Sequence, residues 1–211
     1  MSLVLYSYWR SSAAWRVRIA LALKGVAHEV RTVNLVKGVQ EGEDYGAVNP
    51  AHLVPALVLP GGEVLTQSLA IIDWLEATYP APRLVPAEAL ERARVLAAAH
   101  TVAMDIHPVN NLRILNALGS RFGADQAAKV AWMQDWMTRG FDVLEGMARP
   151  GPYFFGDQVT LADLCLVPQT YNARRWGLDM ARWPRLQAVE AACLALPAFA
   201  ETAPERQADA G

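Results

Sequence analysis

Arg10-Ser11-Ser12 sets a guanidinium and two hydroxyls where an apolar run, Leu3-Val4-Leu5-Tyr6, gives way to Val17, Ala20, Leu21 and Leu23 at helical spacing. The pattern predicts strand, polar turn, then helix. A helix start carries unpaired N–H groups and the positive end of the dipole, so it favours an anion, a thiolate included. The same residues also satisfy a purely structural reading, in which Ser11 or Ser12 caps the helix. Two further polar clusters stand apart. Asp105-Ile106-His107-Pro108-Val109-Asn110-Asn111-Leu112-Arg113 sits inside a helical region and reads either as a solvent-facing kink or as the wall of a polar pocket. Asn172-Ala173-Arg174-Arg175-Trp176 lies at the end of a helix, where arginines complement the dipole.

Other chemistries lack their patterns. No G-x-S-x-G elbow accompanies the serines, and neither a glycine-rich phosphate loop nor a GK[ST] signature is present. His28, His52, His100 and His107 have no metal-ligand spacing, so no metal is expected and each reads as a surface or structural residue. Cys165 and Cys193 lie in apolar surroundings and are expected as buried free thiols.

The elements that must position these groups fall into two blocks. Strands are expected over residues 3–7, 29–34, 53–59 and 63–65, with helices over 13–24 and 68–79 and a weakly helical stretch over 38–48. Gly25 ends the first helix in a position that favours a left-handed residue, and Ser68 reads as the N-cap of the second. Strand, helix and strand in succession form a βαβ unit with parallel pairing. Pro80-Ala81-Pro82-Arg83-Leu84-Val85-Pro86 is the best domain boundary. We expect one domain over residues 1–82 and an all-helical one over 87–211. In the second, long helices cover 88–118, bent near Pro108, and 125–147. Thr160-Leu161-Ala162-Asp163 forms a capping box, Pro184 enters a further helix, and residues 202–211 fray.

The chain has 211 residues, 53% of them hydrophobic, which supplies a full core. Its 19 basic and 21 acidic residues nearly balance, so neither a nucleic-acid stripe nor a membrane-binding basic face is expected. The opening residues lack the basic region and cleavage site of a signal peptide, and no apolar run is long enough to span a bilayer. A cytoplasmic protein is the default expectation.

Taken together, these residues resemble the soluble glutathione transferases, most closely the zeta class, which includes maleylacetoacetate and maleylpyruvate isomerases. Ser11-Ser12-x-x-Trp15-Arg16-Val17-Arg18-Ile19-Ala20-Leu21 is similar to the zeta signature. Asn49-Pro50, Val54-Pro55, Gln67-Ser68-Leu69-Ala70-Ile71-Ile72 and Gly156-Asp157 through Asp163 match the wider superfamily. Asp105-Ile106-His107-Pro108, Asn110-Asn111 and Leu166-Val167-Pro168-Gln169 point again to the zeta isomerases. One departure stands out: the signature usually reads Ser-Ser-Cys, and here its third position is Ala13. A protein thiol at that place is therefore excluded, while the family's maleylpyruvate isomerases include members without it.

The resemblance implies a thioredoxin-like α/β N-terminal domain, an all-α C-terminal domain, a homodimer, glutathione as coenzyme and a cis Val54–Pro55 bond. It implies that Val54 and Pro55, Gln67 and Ser68, Gln40, and the region of His107, Asn111 and Arg113 hold the tripeptide. Ser11, with Ser12 as the second choice, would stabilise its thiolate. Arg10 and Arg175 would clamp a small maleyl dicarboxylate arising in aromatic amino-acid catabolism. Thiolate addition to the double bond, rotation and expulsion would then give the fumaryl product. Two other readings stand beside this one: a general transferase or dehalogenase acting on small α-halo acids, and a non-catalytic protein that keeps the fold.

Overall fold

Alternating buried and half-buried side chains make Leu3–Ser7 (β1) an interior strand. In the computed structural model, which describes residues 2–211, β2 (His28–Thr32) lies parallel to β1 on one side and β3 (Ala56–Val58) antiparallel on the other. Beyond β3 lies β4 (Val64–Thr66), giving the order β2-β1-β3-β4. Parallel pairing of β1 and β2 needs a crossover, which α1 (Ser12–Leu23) supplies. Gly25 follows α1 with φ 62, as its place in the sequence predicts. Between β2 and β3, the weakly helical stretch becomes a 3-10 turn at Val39–Glu41 and the short α2 (Glu43–Val48). The Gly61-Gly62 turn links β3 to β4, and α3 (Ser68–Thr78) follows and packs on α1. This is the thioredoxin-like arrangement expected.

The third expected strand shrinks to Ala56–Val58. Leu53, Val54 and Pro55 stay outside the ladder, because a proline has no N–H to donate to it. The Val54–Pro55 bond is cis, as is Ala81–Pro82.

The chain separates into two compact units, Met1–Arg83 with Leu196–Gly211, and Leu84–Ala195. The tail expected to fray is folded and belongs with the first unit rather than with the helices. Trp15 Nε1 donates to Thr202 Oγ1 at 3.1 Å and Arg18 Nε to Thr202 O at 3.1 Å. Small polar residues in the tail conceal this, because the groups that order it are side chains of α1 about 185 positions away.

The second unit is all helix. The expected long helix over 88–118 is broken into α4 (Ala89–His100), a π-helical turn at Thr101–Ile106, a 3-10 turn at Pro108–Asn110 and α5 (Leu112–Phe122). Pro108 opens the 3-10 turn, and Asn111 caps α5 by accepting from Arg113 N at 3.2 Å. The π turn lies on α6 (Gln126–Met147) at Gly140, where any Cβ would collide with Ile106. Met133, Met137, Phe141 and Leu144 of α6 are buried, and Phe141 meets Trp183 edge to face at 5.2 Å.

The central helix α7 (Leu161–Arg175) is buried continuously from Leu161 to Thr170. It starts at the expected capping box of Thr160 and Asp163. Pro184 stands in the first turn of α8 (Pro184–Leu194). Cys165 and Cys193 are buried and free. Burial, with the Asp163 carboxylate beside it, pushes the Cys193 thiol well above the usual cysteine range, so it stays protonated. No helix among the described residues is long and apolar enough to cross a membrane.

Candidate active site

Sheet register gathers the N-terminal candidates. Tyr6 stands opposite Ala56, and Ala56 opposite Thr66. The segment leaving β1, the segment entering β3 and the segment leaving β4 therefore lie at one end of the sheet. These segments carry Arg10-Ser11-Ser12, Val54-Pro55 and Gln67-Ser68. At the same end β2 stops with Thr32 opposite Ser7, and the chain runs on to Gln40. Tyr8, Val33, Tyr45 and Val54 form a buried cluster joining these loops.

Of the two candidate caps, Ser11 is the N-cap of α1: its Oγ accepts the N–H of Ala14 at 3.2 Å. A serine hydroxyl offers one hydrogen and two acceptor positions. Capping uses an acceptor position and leaves the hydrogen to donate outward, at the positive end of the helix. Ser12 is the first residue of α1 and is buried. Arg10 lies over the Trp9 ring, 4.4 Å from its centroid, and its Nη2 reaches Tyr8 Oη at 3.5 Å. Arg10 Nε is buried without a hydrogen-bond partner among the described residues.

The start of α3 differs from expectation. Gln67, not Ser68, is the N-cap, at φ 66, and its side chain makes no capping hydrogen bond among the described residues. Ser68 already has helical geometry, and its hydroxyl accepts instead from Arg16 Nη1 at 3.4 Å. An arginine can only donate, so the Ser68 hydrogen remains for a ligand. Gln40 is buried, its Oε1 has no hydrogen-bond partner among the described residues, and its carbonyl meets His52 Nδ1 at 2.6 Å. Leu53 O, just ahead of Val54-Pro55, is held by Tyr45 Oη at 2.6 Å and Asn49 Nδ2 at 2.7 Å.

Sequence reasoning missed the two buried arginines of α1. Arg16 is 1% exposed and Arg18 2%. Arg18 donates to Ser7 Oγ at 3.0 Å, Tyr8 O at 3.3 Å and Trp9 O at 3.0 Å. Burial pulls its pKa down to about 10, with the Asp209 charge acting in the opposite direction. The available signal was two charges inside the otherwise apolar run Trp15–Leu21, which has no polar face to take them.

In the second unit, His107 follows the π turn with its N–H on Val102 O at 2.9 Å and is half-buried. Asn111 is committed through its Oδ1 to capping α5, and Arg113 is exposed in that helix's first turn. Arg175 ends α7, exposed, with its guanidinium 4.6 Å from the Trp176 ring centroid. Its neighbour Arg174 is tied to Glu190, Nη2 to Oε2 at 2.6 Å. Among the described residues no cluster of side chains suits a metal ion.

A thioredoxin-like unit and an all-helical unit make up the architecture of the glutathione transferases, and comparison with known proteins identifies it as such. Residues 10–78 match the glutathione S-transferase N-terminal domain and 137–192 the C-terminal domain. A probable maleylacetoacetate isomerase of Vibrio cholerae is 50% identical, with 100% of this chain and 99% of the relative covered. The holo structure of a bacterial zeta-class maleylpyruvate isomerase superposes with a TM-score of 0.95 at 48% identity, covering 99% and 100% of the two chains. Maleylacetoacetate isomerase from Anaeromyxobacter dehalogenans, solved with glutathione in its active site, gives 0.90 at 43% identity, covering 100% and 98%. It has also been solved with dicarboxyethyl glutathione and citrate in the active site. The chain belongs to the glutathione S-transferase family. Within it, the chain is a member of the zeta class, alongside the maleylacetoacetate and maleylpyruvate isomerases.

Proposed function

We propose that this protein is a glutathione-dependent cis–trans isomerase of a small maleyl dicarboxylate, maleylacetoacetate or maleylpyruvate. The observation that carries the reading is the Ser11 hydroxyl, which caps α1 through its acceptor side and is free to donate at the helix start. Its surroundings fit the tripeptide. The uncapped start of α3 offers N–H donors to a carboxylate, Ser68 adds a hydroxyl hydrogen, and the buried, unpartnered Gln40 Oε1 suits an N–H of the peptide. Bound glutathione supplies a thiolate, whose reversible addition turns the double bond into a single bond that rotates.

The chain's own residues do the rest. Ser11, backed by Ser12 and the dipole of α1, stabilises the charge on sulfur, since a free thiol near pKa 8.5 is mostly protonated at neutral pH. Val54, beside Pro55, offers backbone groups to the cysteinyl portion. On family grounds alone we assign His107, Asn111 through its amide nitrogen, and Arg113 to other parts of the tripeptide. Arg10 presents a guanidinium fork to a substrate carboxylate and favours negative charge developing next to it, and on family grounds alone we assign Arg175 the same task. The Trp9 and Trp176 rings lie against the guanidinium groups of Arg10 and Arg175.

The test is steady-state kinetics with both maleyl substrates, each with and without glutathione. Turnover of at least one substrate, only when glutathione is present, is the expected result. Activity on an α-halo acid with none on either maleyl substrate would overturn the reading. We assign the finer context, a cytoplasmic homodimer serving aromatic breakdown, on the same family grounds. Light scattering at assay concentration checks the dimer, and a monomeric mass would remove it.

A further inference from the structure

Beneath the turn that presents Arg10 lies a layer of contacts with no role in the scheme above. Tyr8 O accepts from both Ser11 N at 2.9 Å and Arg18 Nη1 at 3.3 Å. Trp9 O accepts from Arg18 Nη2 at 3.0 Å, and Trp9 N donates to Asp209 Oδ2 at 3.1 Å. Arg18 also holds Thr202 O, so one buried cation grips both the turn and the tail. The turn and the tail are thereby joined twice, once through Arg18 and once directly through Asp209. The Arg10 guanidinium stacks on the Trp9 ring. The Arg10 fork thus rests on residues 8 and 9, through Tyr8 Oη and the Trp9 ring, and the hold on the Trp9 backbone bears on its position.

We propose that Asp209, through the Trp9 N–H, is a positioning residue for Arg10, so that the folded C-terminal segment sets where this guanidinium meets a substrate carboxylate. The inference rests on the reading of Arg10 given under Proposed function. It assigns Asp209 no contact with substrate or glutathione. The bond to Trp9 N needs an acceptor oxygen rather than a charge, so an asparagine in place of Asp209 keeps it.

Asp209→Ala and Asp209→Asn in the full chain test this by two independent readouts. The first is hydrogen exchange of the amides at residues 7–10; the second is the kinetics with maleylacetoacetate, maleylpyruvate and glutathione. Asp209→Ala should exchange faster over those residues and raise KM for the maleyl substrate about fivefold, the worth of one ordinary hydrogen bond. Its glutathione Kd should stay within about twofold of the parent, which also reports an intact fold, and Asp209→Asn should restore most of the KM. Unchanged exchange in Asp209→Ala overturns the proposal, as does faster exchange with an unchanged KM. An asparagine variant as impaired as the alanine one overturns it too. If the parent protein turns over neither maleyl substrate, the proposed function fails, and the exchange readout alone then supports or overturns the Asp209 contact.

Discussion

The Ser11→Ala enzyme is expected to turn over a maleyl substrate about a hundredfold more slowly, because removing one preorganised donor to a developing anion costs about that much or more. Glutathione affinity should change far less, since the proposed binding of the tripeptide rests mainly on α3 and Gln40. Stability should also fall by about 1 kcal/mol, because the bond from Ala14 N to Ser11 Oγ caps α1. Two losses in one variant need separating, and Ser11→Asp does so. An aspartate caps well and suits the helix dipole, so its melting temperature should return to that of the parent. It has no hydrogen to donate and sets a negative charge beside the thiolate, so its kcat should lie below that of Ser11→Ala. An unchanged kcat in Ser11→Ala would remove Ser11 from the chemistry and pass the role to Ser12.

Asp163 carries the largest expected effect on stability. The carboxylate is fully buried at the start of α7. Its Oδ1 accepts from Phe154 N at 2.8 Å, and its Oδ2 from Thr160 N at 2.7 Å and Thr160 Oγ1 at 2.9 Å. Burial raises its pKa above the usual aspartate value, and these bonds pull against that rise. Asp163→Ala strands two backbone N–H donors and the Thr160 hydroxyl at once, and takes the weak acceptor from the Cys193 thiol as well, so it should cost about 3–5 kcal/mol, read from urea midpoints. Asparagine should rescue little. Both oxygens of Asp163 are acceptors, so either orientation of an amide points its NH2 at an existing donor. A loss below about 1 kcal/mol in Asp163→Ala would show that water or a shifted loop replaces the carboxylate.

Local chemistry made part of this legible in the sequence. The left-handed Gly25 and the box of Thr160 and Asp163 each depend on residues within a few positions of one another, and the βαβ opening follows from the order of its elements. Other features depend on distant partners. Arg16 reaches Ser68, 52 positions away, and Asp209 reaches Trp9, 200 positions away. No periodicity encodes such pairs. The choice between Ser11 and Ser12 as cap turned on one residue of phase. Ser68 reads as a cap by residue type, yet the backbone bends one residue earlier. Candidate residues were easier to name than to arrange: Gln67, Ser68, Val54, Pro55 and Ser11 share one end of the sheet only because of the register of β1, β3 and β4.

Gln67 at φ 66 has a consequence for anyone reshaping this protein. Such a backbone costs a non-glycine residue about 1–3 kcal/mol, and glycine meets it freely. Gln67 is thus a point of local frustration, where backbone comfort and side-chain chemistry ask for different residues. Stability-guided redesign would choose glycine here. It would obtain a sturdier chain with no amide at the mouth of α3, and screening by melting temperature alone would score that loss as an improvement.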